Sequence, residues 1–202
     1  LREAYLPGQD TLTVGNLWIW TERTTWNPIG GFCDVYSNDI WQNIHDPPLW
    51  RDPFTGVPIP FRADYEVSTA GPDGTLDVPA DAVTWDTVQD TFVPVDAGTS
   101  AISKVIFDYS KFFQSKWHDG QPITMADVIY SIAQGFEIAM DEDKSRIEFA
   151  IAVTSQPFLE TLRGIRILDE NRLEVYANFW HFEENYIAEY ANLTSLSTPW
   201  EI

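Results

Sequence analysis

Few residues of this chain are suited by type and spacing to carry chemistry. In "KWHDGQPITMADVIYSI", residues 116–132, His118 stands beside Asp119. Such a pair serves general base catalysis or metal ligation when it is held open to a substrate, and otherwise it is only a turn. His181 with Glu183 and Glu184 has a loose metal-like spacing, yet adjacent glutamates on a solvated helix face are far commoner than ligand sets. Asp141 and Asp143 imitate the paired carboxylates of a glycosidase, but chance pairs are expected in a chain this acidic. His45 reads as a helix-end residue near Pro47, and the single cysteine, Cys33, as a small buried apolar residue without a disulfide or zinc partner. No HExxH, GxSxG, Gly-rich phosphate loop or Cys/His zinc set occurs. With no nucleophile, base and orienter arranged by sequence, the expectation is a protein that is not an enzyme and needs no cofactor or metal.

The elements that position these residues come from a chain of 202 residues, long enough for one sizeable core or two small ones. Hydrophobic residues make up 44% and aromatics 14%, which excludes a disordered chain. No apolar run approaches a membrane span, so a soluble protein is expected. Lys and Arg number 12 against 31 acidic residues, a net charge of −19, and such a field repels phosphate backbones and anionic lipids. Nucleic acid is therefore excluded as a partner. An acidic surface suits a secreted protein, a halophile or an acidophile. The chain opens at "LREAYLPGQD" without an initiator Met, as a processed product or excised piece would. Asn192-Leu193-Thr194 is a glycosylation sequon of a kind common by chance.

Residues 11–20, "TLTVGNLWIW", predict a buried strand, and 35–45, "VYSNDIWQNIH", a short amphipathic helix stopped by Asp46-Pro47-Pro48. "LWRDPFTGVPIPFRADYEVS" predicts a strand, a turn from Asp52 to Gly56, and an extended segment that Pro58 and Pro60 confine to an edge or surface crossing. Residues 68–100 form a long excursion, with its own hairpin around "AVTWDTVQDTFVPV". A strand at "SKVIFDYS" precedes the opening motif, and a helix runs from Met125 to about Met140. "DEDKSR" reads as a charged link to a helical stretch at 147–163 interrupted by Pro157. "IRILDENRLEVYA" is a hairpin, and "FEENYIAEYANL" a final helix. Strands and helices mix without βαβ alternation, so the class is α+β.

Within the motif, every polar residue has a structural task. Asp119-Gly120 makes the turn out of the strand, Thr124 caps the helix, and Asp127 reaches back to the cap while meeting the positive end of the helix dipole. Val128, Ile129, Ile132 and Phe136 supply the buried stripe.

The same residues resemble the signature of the family 5 extracellular solute-binding proteins, the dipeptide, oligopeptide and nickel receptors of ABC importers. Trp117, Asp119, Gly120, Pro122, Thr124, Asp127 and Val128 stand at its positions, with Met125 where Ala is usual. "TLTVG", "TWNP", "NDIWQNIHDPPLWRDPFTGVPIPFRADYEVS" and "LRGIRILDENRLEVYANFW" follow in the family's order, and the excursion at 68–100 is longer than many members have. The resemblance covers most of this chain but less than half of a typical member.

That resemblance implies a mixed sheet with packed helices, part of a periplasmic-binding-protein-like type II fold. Residues 1–30 would be the first strand and cleft segment of lobe I, 31–180 a smaller α+β subdomain, and 181–202 the start of the return to lobe I. The second lobe would lie outside this chain. The implied function is extracytoplasmic capture of a small solute, most simply a peptide, and its delivery to an ABC permease by a monomeric receptor anchored through a segment outside this chain. Ligand contacts would map onto Thr21, Glu22 and Arg23, flanked by Trp18, Trp20 and Trp26, although Trp18 and Trp20 at strand spacing also suit a core. The tryptophans make an oligosaccharide a second ligand class, while nickel or haem has little donor support. A secreted acidic hydrolase domain and a structural surface domain are the rivals from other classes.

Overall fold

A computed structural model of the chain describes residues 2–4, 13–15, 45–194 and 199–201. The chain divides into two units, Leu1–Asp46 and Pro47–Ile202. In the first, β1 (Arg2–Ala4) pairs antiparallel with β2 (Thr13–Gly15), Arg2 lying opposite Gly15. β2 is the described part of the strand expected over 11–20. The helix expected over 35–45 falls, up to residue 44, outside the described residues.

The second unit opens with a hairpin of β3 (Leu49–Arg51) and β4 (Pro58–Pro60), a separate two-stranded sheet, as two prolines in three residues dictate. The main sheet has six strands in the order β5, β10, β12, β11, β7, β8. These are β5 (Asp64–Thr69), β7 (Val83–Asp86), β8 (Thr91–Pro94), β10 (Ser103–Asp108), β11 (Leu162–Ile167) and β12 (Arg172–Ala177). Short strands β6 (Leu76–Asp77) and β9 (Ser100–Ala101) pair with each other. The helices are α1 (Met125–Met140), α2 (Glu142–Ile147), α3 (Phe149–Leu159) and α4 (Glu184–Ala191), and one 3-10 turn spans Phe112–Gln114.

The sheet is antiparallel throughout, not mixed as the resemblance implied. The helical connection from β10 brings the chain back as β11 in the same direction, but one strand position away. β12, turning back through the hairpin, fills that gap and pairs antiparallel with both.

Alternation decides the two faces. Along β10, Ser103, Val105 and Phe107 are buried while Lys104, Ile106 and Asp108 are only half-buried. Val105, Phe107, Leu173, Val175 and Ile165 meet Val128, Ile132 and Phe136 of α1, Leu159 of α3, and Ile187, Ala188 and Ala191 of α4 in the main core. On the opposite face the excursion closes a small cluster of Val78, Ala82, Ala101 and Tyr176, with Val95 against it. Gly164 sits beneath this cover at φ +147°, and a Cβ there would meet Val95 Cγ1 at 2.9 Å. Only glycine combines that backbone with so close an approach. The hairpin expected within the excursion is β7–β8, and it joins the main sheet where Val83 lies opposite Ile165.

The "charged link" is a helix. Asp141 caps α2, its Oδ1 accepting from the amides of Asp143 at 3.0 Å and Lys144 at 2.8 Å. Acids in the first turn, bases in the last, and a Glu142–Arg146 ion pair complete it. Pro157 does not interrupt α3 at once: it lies inside the helix, which ends two residues later at Leu159.

Candidate functional site

The opening motif folds as a strand end, a tight turn and a capped helix. Lys116 bridges Pro122, the Trp117 amide donates to the Gln121 carbonyl at 2.9 Å, and the Gly120 amide returns to the Trp117 carbonyl at 2.9 Å. Asp119 Oδ1 accepts from the Gln121 amide at 3.0 Å, and Gly120 adopts φ +94°. His118 is exposed on this turn, and the carboxylate of its neighbour Asp119 is engaged by the Gln121 amide. Thr124 and Asp127 form the capping box of α1. Its strong half is the carboxylate: Asp127 Oδ2 accepts from the Thr124 amide at 2.7 Å and from the Thr124 hydroxyl at 3.3 Å.

Asp127 is fully buried and does more than cap. Its Oδ1 accepts from the indole Nε1 of Trp117 at 3.1 Å and from the backbone amide of Trp200 at 3.2 Å. One carboxylate thus joins the turn, the helix start and the C-terminal segment. Val128 beside it is in the core. All seven residues that carry the resemblance therefore fall in one structural joint.

The segment expected to contact ligand, Trp18, Trp20, Thr21, Glu22, Arg23 and Trp26, lies outside the described residues, as does Cys33. The other candidates are placed. Among the described residues no group of His, Cys, Asp and Glu is arranged to hold a metal ion. His181 Nδ1 accepts from the Glu183 backbone amide at 3.1 Å, and its ring stacks on Phe182, so its partner is main chain and not the glutamate carboxylates. Asp141 spends its side chain on the α2 cap and does not face Asp143 across a cleft.

Sequence reasoning missed a charged cluster on the outer face of the sheet. Glu174, 2% exposed, accepts from Arg166 Nε at 2.8 Å and Tyr176 Oη at 2.7 Å, and pairs with Lys104 Nζ at 3.1 Å. Arg166 also approaches Asp81 of the excursion at 3.4 Å. Burial pulls the Glu174 carboxyl upward, but the Tyr176 and Lys104 hydrogen bonds and the charges of Lys104 and Arg166 outweigh it and hold the carboxyl below its ordinary range. Burial first, then the Glu174 carboxylate, raises the Tyr176 phenol well above its ordinary value. A signal was available: Glu174 stands between apolar residues in "RLEVYA", with Lys104 and Arg166 as cations in neighbouring strands. The carboxylate is saturated by its partners, which makes it a structural ion cluster and a poor base.

A depression of about 350 Å³ lies at the β11–β12 turn, lined by Asp108, Ser110, Asp169, Glu170, Asn171 and Arg172. It is roomy enough for a small solute, but its two aspartates are engaged locally. Asp169 binds the amides of Asn171 and Arg172, and Asp108 that of Ser110. The Asp169 carboxyl is lowered by the Asn171 amide and by Arg172.

Neither a family model nor a curated protein matches the chain.

Proposed function

We propose that this chain is part of an extracytoplasmic solute-binding receptor of the family 5 type, which captures a peptide and presents it to an ABC permease. The observation that carries the reading is the motif of residues 116–128. In a chain arranged as α+β with an antiparallel sheet, these residues form a turn followed by a capped helix, with Asp127 buried at their junction, and this supports the resemblance. On this reading residues 31–180 are the smaller subdomain of a type II binding fold, 181–202 begin the return to lobe I, and the ligand is held between lobes whose closure it stabilises. The reading takes the protein as non-enzymatic. No helix among the described residues is long and apolar enough to cross a membrane. An oligosaccharide ligand is the second reading, favoured by Trp18, Trp20 and Trp26 around the expected contact segment.

The test is ligand binding by the full-length receptor, measured by calorimetry against peptide and oligosaccharide panels. Saturable peptide binding that weakens about tenfold in Trp20→Ala or Glu22→Ala is expected. Turnover of a peptide or glycan that disappears on substitution of one carboxylate would replace the receptor with the hydrolase. At the expected ligand segment the isolated chain of 202 residues should hold peptides of the panel weakly or not at all, since the reading puts the second lobe elsewhere.

A further inference from the structure

The β3–β4 hairpin presents apolar side chains to solvent from a rigid frame. Trp50 lies opposite Ile59 in the ladder, and the Phe61 ring sits 6.1 Å from that of Trp50, so the three share the outward face. Trp50 is 38% exposed, Phe61 47%, and Phe54 at the hairpin tip 95%. The tip is tied down. Asp52 Oδ1 accepts from the amides of Phe54 at 2.9 Å and Thr55 at 2.8 Å, and the Gly56 amide donates to the Asp52 carbonyl at 2.8 Å. The inward side is clamped to α4: Arg51 makes a two-pronged bond to Glu189 at 2.7 and 2.6 Å, and Tyr186 Oη donates to the Gly56 carbonyl at 3.3 Å. Tyr65 Oη adds a bond to the Pro58 carbonyl at 3.2 Å. An aromatic face held this firmly loses little conformational entropy on docking.

Two features select the occupant. Pro58 and Pro60 remove two of three amide donors from β4, so a partner cannot add a strand there and must dock through side chains. The neighbouring charge is acidic. Glu189 cancels Arg51, and Arg62 at the hairpin base, still cationic, stands against the three carboxylates of Asp52, Glu183 and Glu184 on the turn and the α4 start. The Asp52 carboxyl is held low by the Thr55 and Phe54 amides, so it stays ionised. With a net charge of −19, a second copy of the chain or an anionic bilayer is repelled. We infer that the outward face and tip of the β3–β4 hairpin, Trp50, Phe54, Ile59 and Phe61, form a docking surface for a partner protein segment that alternates basic and apolar residues. The apolar side chains of that segment cover the aromatic face, its Lys or Arg groups lie over the rings, and its charge meets the acidic rim.

The experiment uses the whole chain and short synthetic peptides of equal length: alternating Lys–Leu, Lys–Ser and Glu–Leu. Phosphatidylcholine vesicles with and without phosphatidylglycerol are tested in parallel. The Lys–Leu peptide should bind in calorimetry, and Phe54→Ser or Phe61→Ser should weaken it about tenfold, with unchanged circular dichroism and melting temperature. Lys–Ser should bind at least about tenfold more weakly, and Glu–Leu not at all. Equal binding of Lys–Leu and Lys–Ser would reduce the effect to net charge and overturn the inference, as would unaltered binding in both Phe variants. Phe54-dependent vesicle binding, or a dimer in sedimentation that Phe54→Ser dissolves, would also overturn it by naming a different occupant. Trp20→Ala separates the two proposals: if that variant alone loses the Lys–Leu peptide, the peptide sits at the expected ligand segment, and the docking surface fails while the receptor reading stands.

Discussion

Replacing Asp127 with alanine should be among the costliest single changes in the second unit. The substitution orphans the Trp117 indole N–H, bonded at 3.1 Å, the Thr124 amide at 2.7 Å and the Trp200 amide at 3.2 Å. Each buried donor left without a partner costs about 1–3 kcal/mol. Loss of a carboxylate from the first turn of α1 adds about 0.5 kcal/mol through the helix dipole. The Thr124 amide is half-buried and Trp200 is partly exposed, so water recovers some of this, and the expected total is about 3–4 kcal/mol. Asp127→Asn keeps the volume and one acceptor oxygen but turns an NH2 group toward donors, for about 2 kcal/mol. Asp119→Ala is the control from the same motif. It loses one exposed bond to the Gln121 amide and should cost about 0.5–1 kcal/mol. Urea unfolding followed by tryptophan fluorescence reads the series, with midpoints compared at a common slope. If Asp127→Ala unfolds within about 1 kcal/mol of the parent, or Asp119→Ala matches it, the buried junction is not what holds the motif together.

Gly164→Ala should cost about 3 kcal/mol, adding strain at φ +147° to a Cβ 2.9 Å from Val95 Cγ1. Gly120→Ala at φ +94°, with nothing within 4 Å, carries strain alone and should cost about 1 kcal/mol. Thermal unfolding should place Gly164→Ala clearly below Gly120→Ala, and reversal of that order would exclude the packing argument. Glu174→Gln should cost about 2 kcal/mol at neutral pH, less than a fully buried pair because Lys104 and Arg166 can turn toward water. It should also alter the acid limb. The Glu174 carboxyl is lower in the folded state, so its contribution is present above the unfolded value of about 4.3 and is lost as the pH falls through the folded value. The parent should therefore lose stability more steeply than Glu174→Gln below about pH 4. Some slope remains in the variant from Asp52, Asp86, Asp141 and Asp169, whose carboxyls are also lowered, and parallel profiles would remove Glu174 from the account.

What was legible in the sequence was local. The helix Met125–Met140 and the strand Ser103–Asp108 bury one face, and burial writes a period of 3.6 or 2 into the residues. The β11–β12 hairpin, whose second strand is buried on both faces, was legible instead from its Asp169-Glu170-Asn171 turn. α2 escaped because it buries no residue. Its stability comes from a capping aspartate and paired charges, which in isolation look like a polar link. The antiparallel order of the sheet was not legible because insertion of β12 between β10 and β11 is a non-local choice that no window contains. The Glu174 cluster was hidden for the same reason, since its partners come from three strands and the excursion. Asp119 was read as a turn residue and Asp127 as part of a cap, and both are so, while Asp141, named as one of a carboxylate pair, proved to be a cap that had gone unread.

The donors on Asp127 come from a strand-end turn, a helix start and a segment near the C-terminus, so no neutral or longer side chain can satisfy all three at once. A carboxylate is required there whatever the protein binds. The aromatic at 117 is required because its indole reaches the same carboxylate, and glycine at 120 because the turn that brings the two together needs a positive φ. A joint built this way serves the architecture, and its residues are fixed by one another's hydrogen bonds. In the receptor proposed here, ligand choice would rest on side chains outside the joint, so Trp20→Ala and Glu22→Ala should change binding, while Asp127→Ala should change stability.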